Sequence, residues 1–333
     1  MTDETGRVRD LVVIGCSAGG VEALPRILQQ LPPDLAAAVL IVQHMVPTGA
    51  HYLVEILARS SRLPVGWAEQ GSRIERRRVL VGPPDLHLLC ADGHVTLTRG
   101  TRENHARPSI DKLFRSAAAV YGSRTIGVLL TGMLDDGVGG LRAIREAGGM
   151  LIVQDPMDAA FPELPTRALQ AVNPDQTLAI DQIGGALIAA VGQPLAVAPV
   201  PPNVAFEAEI DRRSVVTPAE MTAMWTQTAL SCPDCHGPMW QLGDEHARRF
   251  RCYLGHATTA RELLDTSAAE VEAALWSAVR ALNDRAMTLE ALAADAERGG
   301  SGQSAETYAL RARETRAQVE VARQFMLDLS RPK

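Results

Sequence analysis

Residues 11–20 read LVVIGCSAGG, an apolar run from Leu11 to Ile14 that breaks into glycine, a hydroxyl residue and two more glycines. A helical pattern, VEALPRILQQL, follows at once. Gly15, Cys16, Ser17, Ala18 and Gly19 satisfy the G-x-S-x-G form of a nucleophile elbow, where a tight strand-to-helix turn lifts the serine hydroxyl above a sheet. Glycines suit such a turn because a Cβ would obstruct positive φ or close backbone approach. The helix behind the turn aims unpaired N–H groups at the same spot, where an oxyanion can form. Glycine turns of this kind also cradle phosphates, so Ser17 is a nucleophile only if the chain supplies it with a base. A dinucleotide fingerprint is disfavoured, since G-x-G-x-x-G needs glycine where Ser17 stands.

Outward from that turn, strand and helix alternate as far as residue 191. The run 38–43 (AVLIVQ) is apolar and β-branched and ends in His44. A helix over 49–60 and a short strand at 65–69 follow. Strand pieces are expected at 79–82, 87–90 and 95–99, the last two joined by the turn pair Asp92-Gly93. SIDKLFRSAAAVY (109–121) reads as an amphipathic helix capped by Ser109, and TIGVLL (125–130) as a buried strand before TGMLDDGVGG. A helix then runs to Ala147, a strand covers 150–153, and another helix surrounds Arg167. This alternation predicts an α/β domain with a mostly parallel, doubly wound sheet and helices on both faces. Ligands in such sheets bind beyond the carboxyl ends of the strands, where Ser17, His44 and the pair Asp135-Asp136 all fall.

A serine hydroxyl needs a neutral imidazole to take its proton, and the imidazole needs a carboxylate to fix its tautomer. His44 is the best-placed base. His87 and His94 lie on or beside a hairpin and read as surface residues, while His51 and His105 have no comparable position. Asp135 and Asp136 are both open as the carboxylate, and Asp136 has the alternative role of capping the next helix. The order Ser–His–Asp differs from that of the α/β-hydrolases.

The chain resembles the catalytic domain of the chemotaxis protein-glutamate methylesterases, the CheB family. The blocks IGCSAGGVEAL, VLIVQHM, RPSIDKLFRSAA with TIGVLLTGMLDDGVGGL, and QDPMDAAFPELPTRAL carry the resemblance over about residues 10–191. It implies a serine hydrolase that removes methyl esters from chemoreceptor glutamates, releases methanol and in many members deamidates receptor glutamines. By position it makes Ser17 the nucleophile, His44 the base and Asp136 the carboxylate. The N–H of Met133, with that of Ala18, would hold the oxyanion. Leu134 stands where the family commonly has glycine. Arg107, Ser109 and Asp111 lie in a recurrent block and are expected to line the crevice, although a helix cap with flanking charge is an equal reading. Chemotaxis members usually begin with a receiver domain; ten residues precede the first strand here, so none is expected. The partner would be the cytoplasmic helices of a methylated chemoreceptor or a similar signalling protein.

The chain has 333 residues, enough for two or three domains, and 46% are hydrophobic, enough for a large core. A net charge of −6 gives no case for nucleic acid. No apolar run reaches membrane-spanning length, and MTDETGRVRD lacks the features of a signal peptide, so a cytoplasmic location without membrane insertion is expected. Residues 1–10 are expected as a tail, 11–191 as the catalytic domain and 192–230 as a proline-led linker. In 231–257, Cys232 and Cys235 form a C-x-x-C pair, and Cys252 and His256 a C-x-x-x-H pair. Two such pairs around a hairpin-length insert suit structural, tetrahedral zinc, with His236 and His246 as substitute ligands. A redox C-x-x-C would need a βαβ setting that is missing. No cofactor is expected for catalysis. Residues 258–333 read as a helical hairpin broken at GGSG, with Leu264, Val271, Leu275, Val279 and Leu282 at helical spacing and pairing across a homodimer as one use for them. Two other functions remain open: an adaptor that keeps the domain as a binding surface, and an esterase for a small molecule.

Overall fold

A computed structural model describes residues 8–213, 215–243 and 248–329; His246 and most of the expected N-terminal tail lie outside the described residues. The elements in order are β1 (Leu11–Cys16), α1 (Gly20–Leu28), β2 (Ala38–Gln43), α2 (Leu53–Ser60), β3 (Val65–Trp67), β4 (Val79–Val81), β5 (His87–Cys90) and β6 (Val95–Thr98). They continue with α3 (Ile110–Tyr121), β7 (Thr125–Leu129), α4 (Val138–Glu146), β8 (Met150–Gln154), α5 (Glu163–Ala171), β9 (Gln176–Leu178) and α6 (Ile180–Ala190). Seven strands form one sheet in the order β3-β4-β2-β1-β7-β8-β9, and every pair is parallel. The chain winds outward from β1 in one direction and from β7 in the other, so the crevice between their carboxyl ends is the switch point where ligands bind.

Burial on both faces explains the uninterrupted apolar strands. Leu11 and Val13 pack with α3, α4 and the β5–β6 hairpin, whereas Val12 and Ile14 pack with α1, α2 and α6. Each fully buried Val, Leu or Ile contributes roughly 1.5–3 kcal/mol, so these two clusters hold the sheet against its chain entropy.

The stretch expected as a linker is built differently. It contains α7 (Pro202–Arg213), α8 (Pro218–Met224) and most of β10 (Thr226–Ser231), which pairs with β11 (Pro238–Leu242), β12 (Arg249–Cys252) and β13 (Ala257–Thr259) in a four-stranded antiparallel sheet. The described residues up to Ala260 form one compact unit. Helical periodicity misses α7 because its buried face includes carboxylates: Glu207 and Asp211 lie inward beside Val204, Ala208 and Ile210. Asp211 meets Arg115 Nε at 2.7 Å and Arg251 Nη2 at 2.6 Å. Glu207 meets Arg115 Nη1 and Arg249 Nη2 at 2.8 Å each, and Arg115 also pairs with Glu103.

That cluster makes a testable demand on acid stability. Burial opposes charge on Glu207, but Arg115, Arg249 and Arg251 outweigh it and hold the carboxyl at about 2, below its usual 4.5. A depressed carboxyl contributes fully above its unfolded value and loses that contribution as pH falls toward its folded one. The melting temperature is therefore expected to drop steeply between about pH 4.5 and 2. Glu207→Gln should cost about 3–5 kcal/mol at neutral pH, because it leaves buried guanidinium charge uncompensated. It should also flatten the acid slope, leaving the part carried by the other depressed carboxyls, Asp211 and Asp136 among them. An unchanged slope in thermal melts would contradict this account.

The second unit, from Arg261 onward, holds nearly all of α9 (Ala260–Arg298) and the whole of α10 (Gly302–Leu329), with Arg316 of α10 bonded to Glu290 and Asn283 of α9. Of the apolar series read from α9, Val279 is buried, whereas Leu264 and Val271 are exposed. No helix among the described residues is long and apolar enough to cross a membrane.

Candidate active site

Ser17 follows β1, His44 follows β2 and Asp136 lies between β7 and α4, so adjacent parallel strands deliver all three to one rim of the sheet. Ser17 Oγ lies 3.1 Å from His44 Nδ1, and His44 Nε2 lies 2.7 Å from Asp136 Oδ2. The imidazole thus gives its Nε2–H to the carboxylate and turns the Nδ1 lone pair to the hydroxyl, the arrangement a general base needs. These groups open into a pocket of about 260 Å³ whose wall includes Met45, Arg107, Met133 and Leu134. Ser17 keeps an ordinary φ; the left-handed residue of the turn is Gly19, at φ 81°. The expected elbow is therefore relaxed at its serine.

Neither Gln43 nor Thr131 was singled out in the sequence, yet both hold this turn. Gln43 Nε2 donates to the carbonyls of Ser17 (2.8 Å) and His44 (2.9 Å), tying nucleophile and base together. Ser17 N donates to Thr131 O at 3.1 Å, and Thr131 Oγ1 donates to Ala18 O at 3.0 Å. A polar residue ending a buried strand was the available signal for Gln43. Close packing also demands Gly132, where a Cβ would stand 2.9 Å from that of Ser17.

Asp136 is buried, and its two oxygens collect donors from three directions. Oδ2 accepts from His44 and from Ile110 N at 2.7 Å; Oδ1 accepts from Ser109 Oγ (2.8 Å), Asp111 N (3.2 Å) and Asn104 Nδ2 (3.3 Å). Two of these donors are N–H groups at the start of α3, the end of a helix that favours negative charge. Burial works against ionisation, but the hydrogen bond and charge of His44, with Ile110 N–H and the Ser109 hydroxyl, hold Asp136 below the usual carboxylate range. Asp135 is placed otherwise, paired with Arg167 Nε at 2.7 Å and accepting from Thr259 Oγ1 at 3.1 Å. The structure thus puts Asp136, not Asp135, on the imidazole.

Ser109 and Asp111 do not line the crevice as expected: both are fully buried beneath it. Ser109 caps α3, as read, through Lys112 N, and donates to Asp136. Asp111 accepts from Gly137 N (3.0 Å) and Gly140 N (2.6 Å), so the carboxyl of α3 caps α4 while Asp136, just before α4, caps α3. Burial, then the charges of Asp136 and Glu103, push Asp111 well above its ordinary value. Arg107 does reach the pocket wall, with Nη2 paired to Asp85 at 2.7 Å. His87, expected at the surface, is also buried; Nδ1 accepts from Ser109 N (3.2 Å) and Nε2 meets Thr101 O (2.9 Å). Burial and the charge of Lys112 push it down to about 3, so it supports the α3 cap as a neutral ring.

Met133 is half-exposed on the rim, and among the described residues neither its N–H nor that of Ala18 meets a backbone carbonyl. Leu134 has φ 64°, the left-handed region that favours glycine.

The four expected metal ligands meet. The ligand atoms of Cys232, Cys235, Cys252 and His256 all lie within 4.8 Å of one another, with Cys235 Sγ 3.7 Å from Cys252 Sγ and Cys252 Sγ 3.5 Å from His256 Nδ1. Two sulfurs about 2.3 Å from one tetrahedral ion would lie roughly 3.8 Å apart. Disulfide sulfurs would lie about 2 Å apart. The donor set therefore fits a metal and not a disulfide. His236 does not join this cluster.

A family model described as CheB methylesterase matches residues 12–187. A Leptospira interrogans protein, provisionally named a protein-glutamate methylesterase/protein-glutamine glutaminase, is 38% identical over 175 residues, which are 52% of this chain and 91% of that one. One from Anaeromyxobacter dehalogenans bearing those names is 40% identical over 178 residues, and the match spans 52% of its length. The crystal structure of the Thermotoga maritima CheB methylesterase catalytic domain superposes with a TM-score of 0.53 at 33% identity, covering 56% of this chain and all of that one.

Proposed function

Because the chain belongs to the CheB methylesterase family, we propose that it hydrolyses glutamyl methyl esters on chemoreceptor helices to glutamate and methanol. The observation that carries this reading is the unbroken Ser17–His44–Asp136 chain at 3.1 and 2.7 Å on a pocket rim.

Ser17 Oγ attacks the ester carbonyl as His44 Nδ1 takes its proton. The developing oxyanion turns to the N–H groups of Met133 and Ala18; one such donor is worth about 3–4 kcal/mol in another acyl-transfer enzyme. The imidazolium then protonates the departing methoxide oxygen, and methanol leaves a glutamyl ester on Ser17. Water attacks that ester with its proton going to His44, and collapse frees glutamate and Ser17. An amide substrate would follow the same path and release ammonia, which is deamidation. A protein helix as substrate fits a shallow rim with Met133 and Leu134 half-exposed on it.

Methanol release from methylated receptor membranes by the full chain tests the substrate. Release far faster than hydrolysis of a simple aryl ester is expected. Turnover of the aryl ester alone would assign a small-molecule esterase, and turnover of neither would leave the adaptor role.

We also assign zinc to the Cys232, Cys235, Cys252 and His256 cluster. Zinc there would crosslink the ends of β10 and β12 in an element whose own core is small: Ile210, Val216, Met221, Trp240 and Leu242. Purified chain should carry zinc in stoichiometric amount, and Cys235→Ser should lose it; metal-free wild type by elemental analysis would reject the assignment.

A further inference from the structure

Residues 103–106 stand between the catalytic pocket and the cysteine cluster, and they touch both. Asn104 and His105 line the pocket beside Ser17 and His44, while His105 also faces a cleft formed with Cys232 and His256. Glu103 and Ala106 exchange both backbone hydrogen bonds, at 2.9 and 3.3 Å, and Asn104 and His105 have φ of 49° and 58°. Two successive left-handed residues define a tight hairpin turn, a geometry that asparagine tolerates and most other residues resist.

This turn is held from the metal side. Asn104 N donates to the carbonyl of Ala257 at 3.1 Å, and Ala257 directly follows His256. The ligand loop is itself closed by Cys252 N donating to His256 O at 3.0 Å. From the turn, the buried Asn104 carboxamide donates to Asp111 Oδ2 at 3.0 Å and to Asp136 Oδ1 at 3.3 Å. A second tether runs in parallel: Thr259, also on β13, donates to Asp135, the neighbour of Asp136. One short strand therefore reaches the carboxylate loop by two routes, and one of them starts beside a metal ligand.

We propose that Asn104 is a positioning residue for Asp136, and that a divalent metal on Cys232, Cys235, Cys252 and His256 sets the hydrolysis rate by holding β13 against Asn104. This rests on the esterase and zinc readings above. A bound ion fixes His256, which fixes the Ala257 carbonyl, which fixes the turn. Released, the turn loses its partner, the amide leaves the two carboxyls, and Asp136 keeps only Ser109 and Asp111 N on Oδ1, so its Oδ2 is held less firmly toward His44. The metal takes no part in the chemistry.

The test compares full-length wild type and Asn104→Gly, each with metal and after chelation. Glycine keeps the left-handed backbone and removes only the carboxamide. The rate of Ser17 labelling by a fluorophosphonate is read beside methanol release, because labelling needs the triad whatever the natural ester is. Asn104→Gly with metal should lower kcat and labelling about tenfold to a hundredfold, the worth of one hydrogen bond to a charged group, with KM nearly unchanged. Chelation should slow wild type similarly, and should slow Asn104→Gly little further, since coupled sites do not add. Amide exchange in 103–111 should quicken on chelation while β1, β2 and β7 stay protected.

Full labelling by chelated, metal-free wild type would overturn the coupling and leave the zinc assignment standing. Multiplying losses would overturn the route through Asn104, and an unaltered Asn104→Gly would remove its positioning role. Absence of metal in wild type as purified would refute the metal half directly. Labelling without methanol release would instead fault only the substrate.

Discussion

Ser17→Ala is expected to abolish methanol release, with kcat lower by about a million-fold, the loss seen when a triad nucleophile is removed. The variant should fold, because the Cβ that Gly132 accommodates is kept and the backbone clamps from Gln43 and Thr131 do not involve the hydroxyl. KM should change little, since substrate contacts along the rim remain. A residual rate above the uncatalysed one is expected from the Met133 and Ala18 N–H groups alone. Equal methanol release by wild type and Ser17→Ala would remove the nucleophile assignment. Protein-wide unfolding in circular dichroism would require repeating the measurement with Ser17→Gly, which also lacks a nucleophile.

Asp136→Asn should cost about ten-thousand-fold in kcat, as removal of the carboxylate charge does in another triad enzyme by stranding the wrong tautomer. The donors around this side chain show why no orientation of the amide escapes. With its oxygen at the Oδ1 position, the new NH2 faces His44 Nε2 and Ile110 N. His44 must then carry its proton on Nδ1, which donates to Ser17 and cannot accept. With its oxygen at Oδ2, the NH2 faces Ser109 Oγ, Asp111 N and Asn104 Nδ2. Ser109 can rotate to accept, but the other two cannot, and each buried clash of donors costs about 1–3 kcal/mol. The expected readout is a collapse of kcat together with a lower melting temperature. Retention of more than a tenth of wild-type kcat would place the essential carboxylate elsewhere, with Asp135 the first alternative to test.

Both losses follow from a site whose parts differ in how visible they are along the chain. Ser17 and His44 sit at the ends of buried parallel strands, and a strand read as apolar on both faces announces its own terminus. Local spacing alone left Asp135 and Asp136 open, and the family resemblance pointed to Asp136; in the fold the adjacent residues differ in direction, one turning to the imidazole and the other to Arg167. Ser109 and Asp111 were visible as residues of a helix start, but not as the buried donors and acceptor that lock α3 and α4 end to end. His87 was misread because a hairpin position says nothing of what packs over it.

The amino-acid order by itself determined the alternation of buried strands and helices, the three strand-end side chains and the two short Cys/His pairs, because each is written in local spacing and period. Only tertiary structure decided that α7 belongs to the same unit as the sheet, that Asn104 lies between Ala257 and Asp136, and that Ser109, Asp111 and His87 are buried beneath the site. Those features depend on partners far apart in the chain (Arg115 to Asp211 spans 96), and hydrophobic periodicity cannot register a face such as that of α7, built from ion pairs.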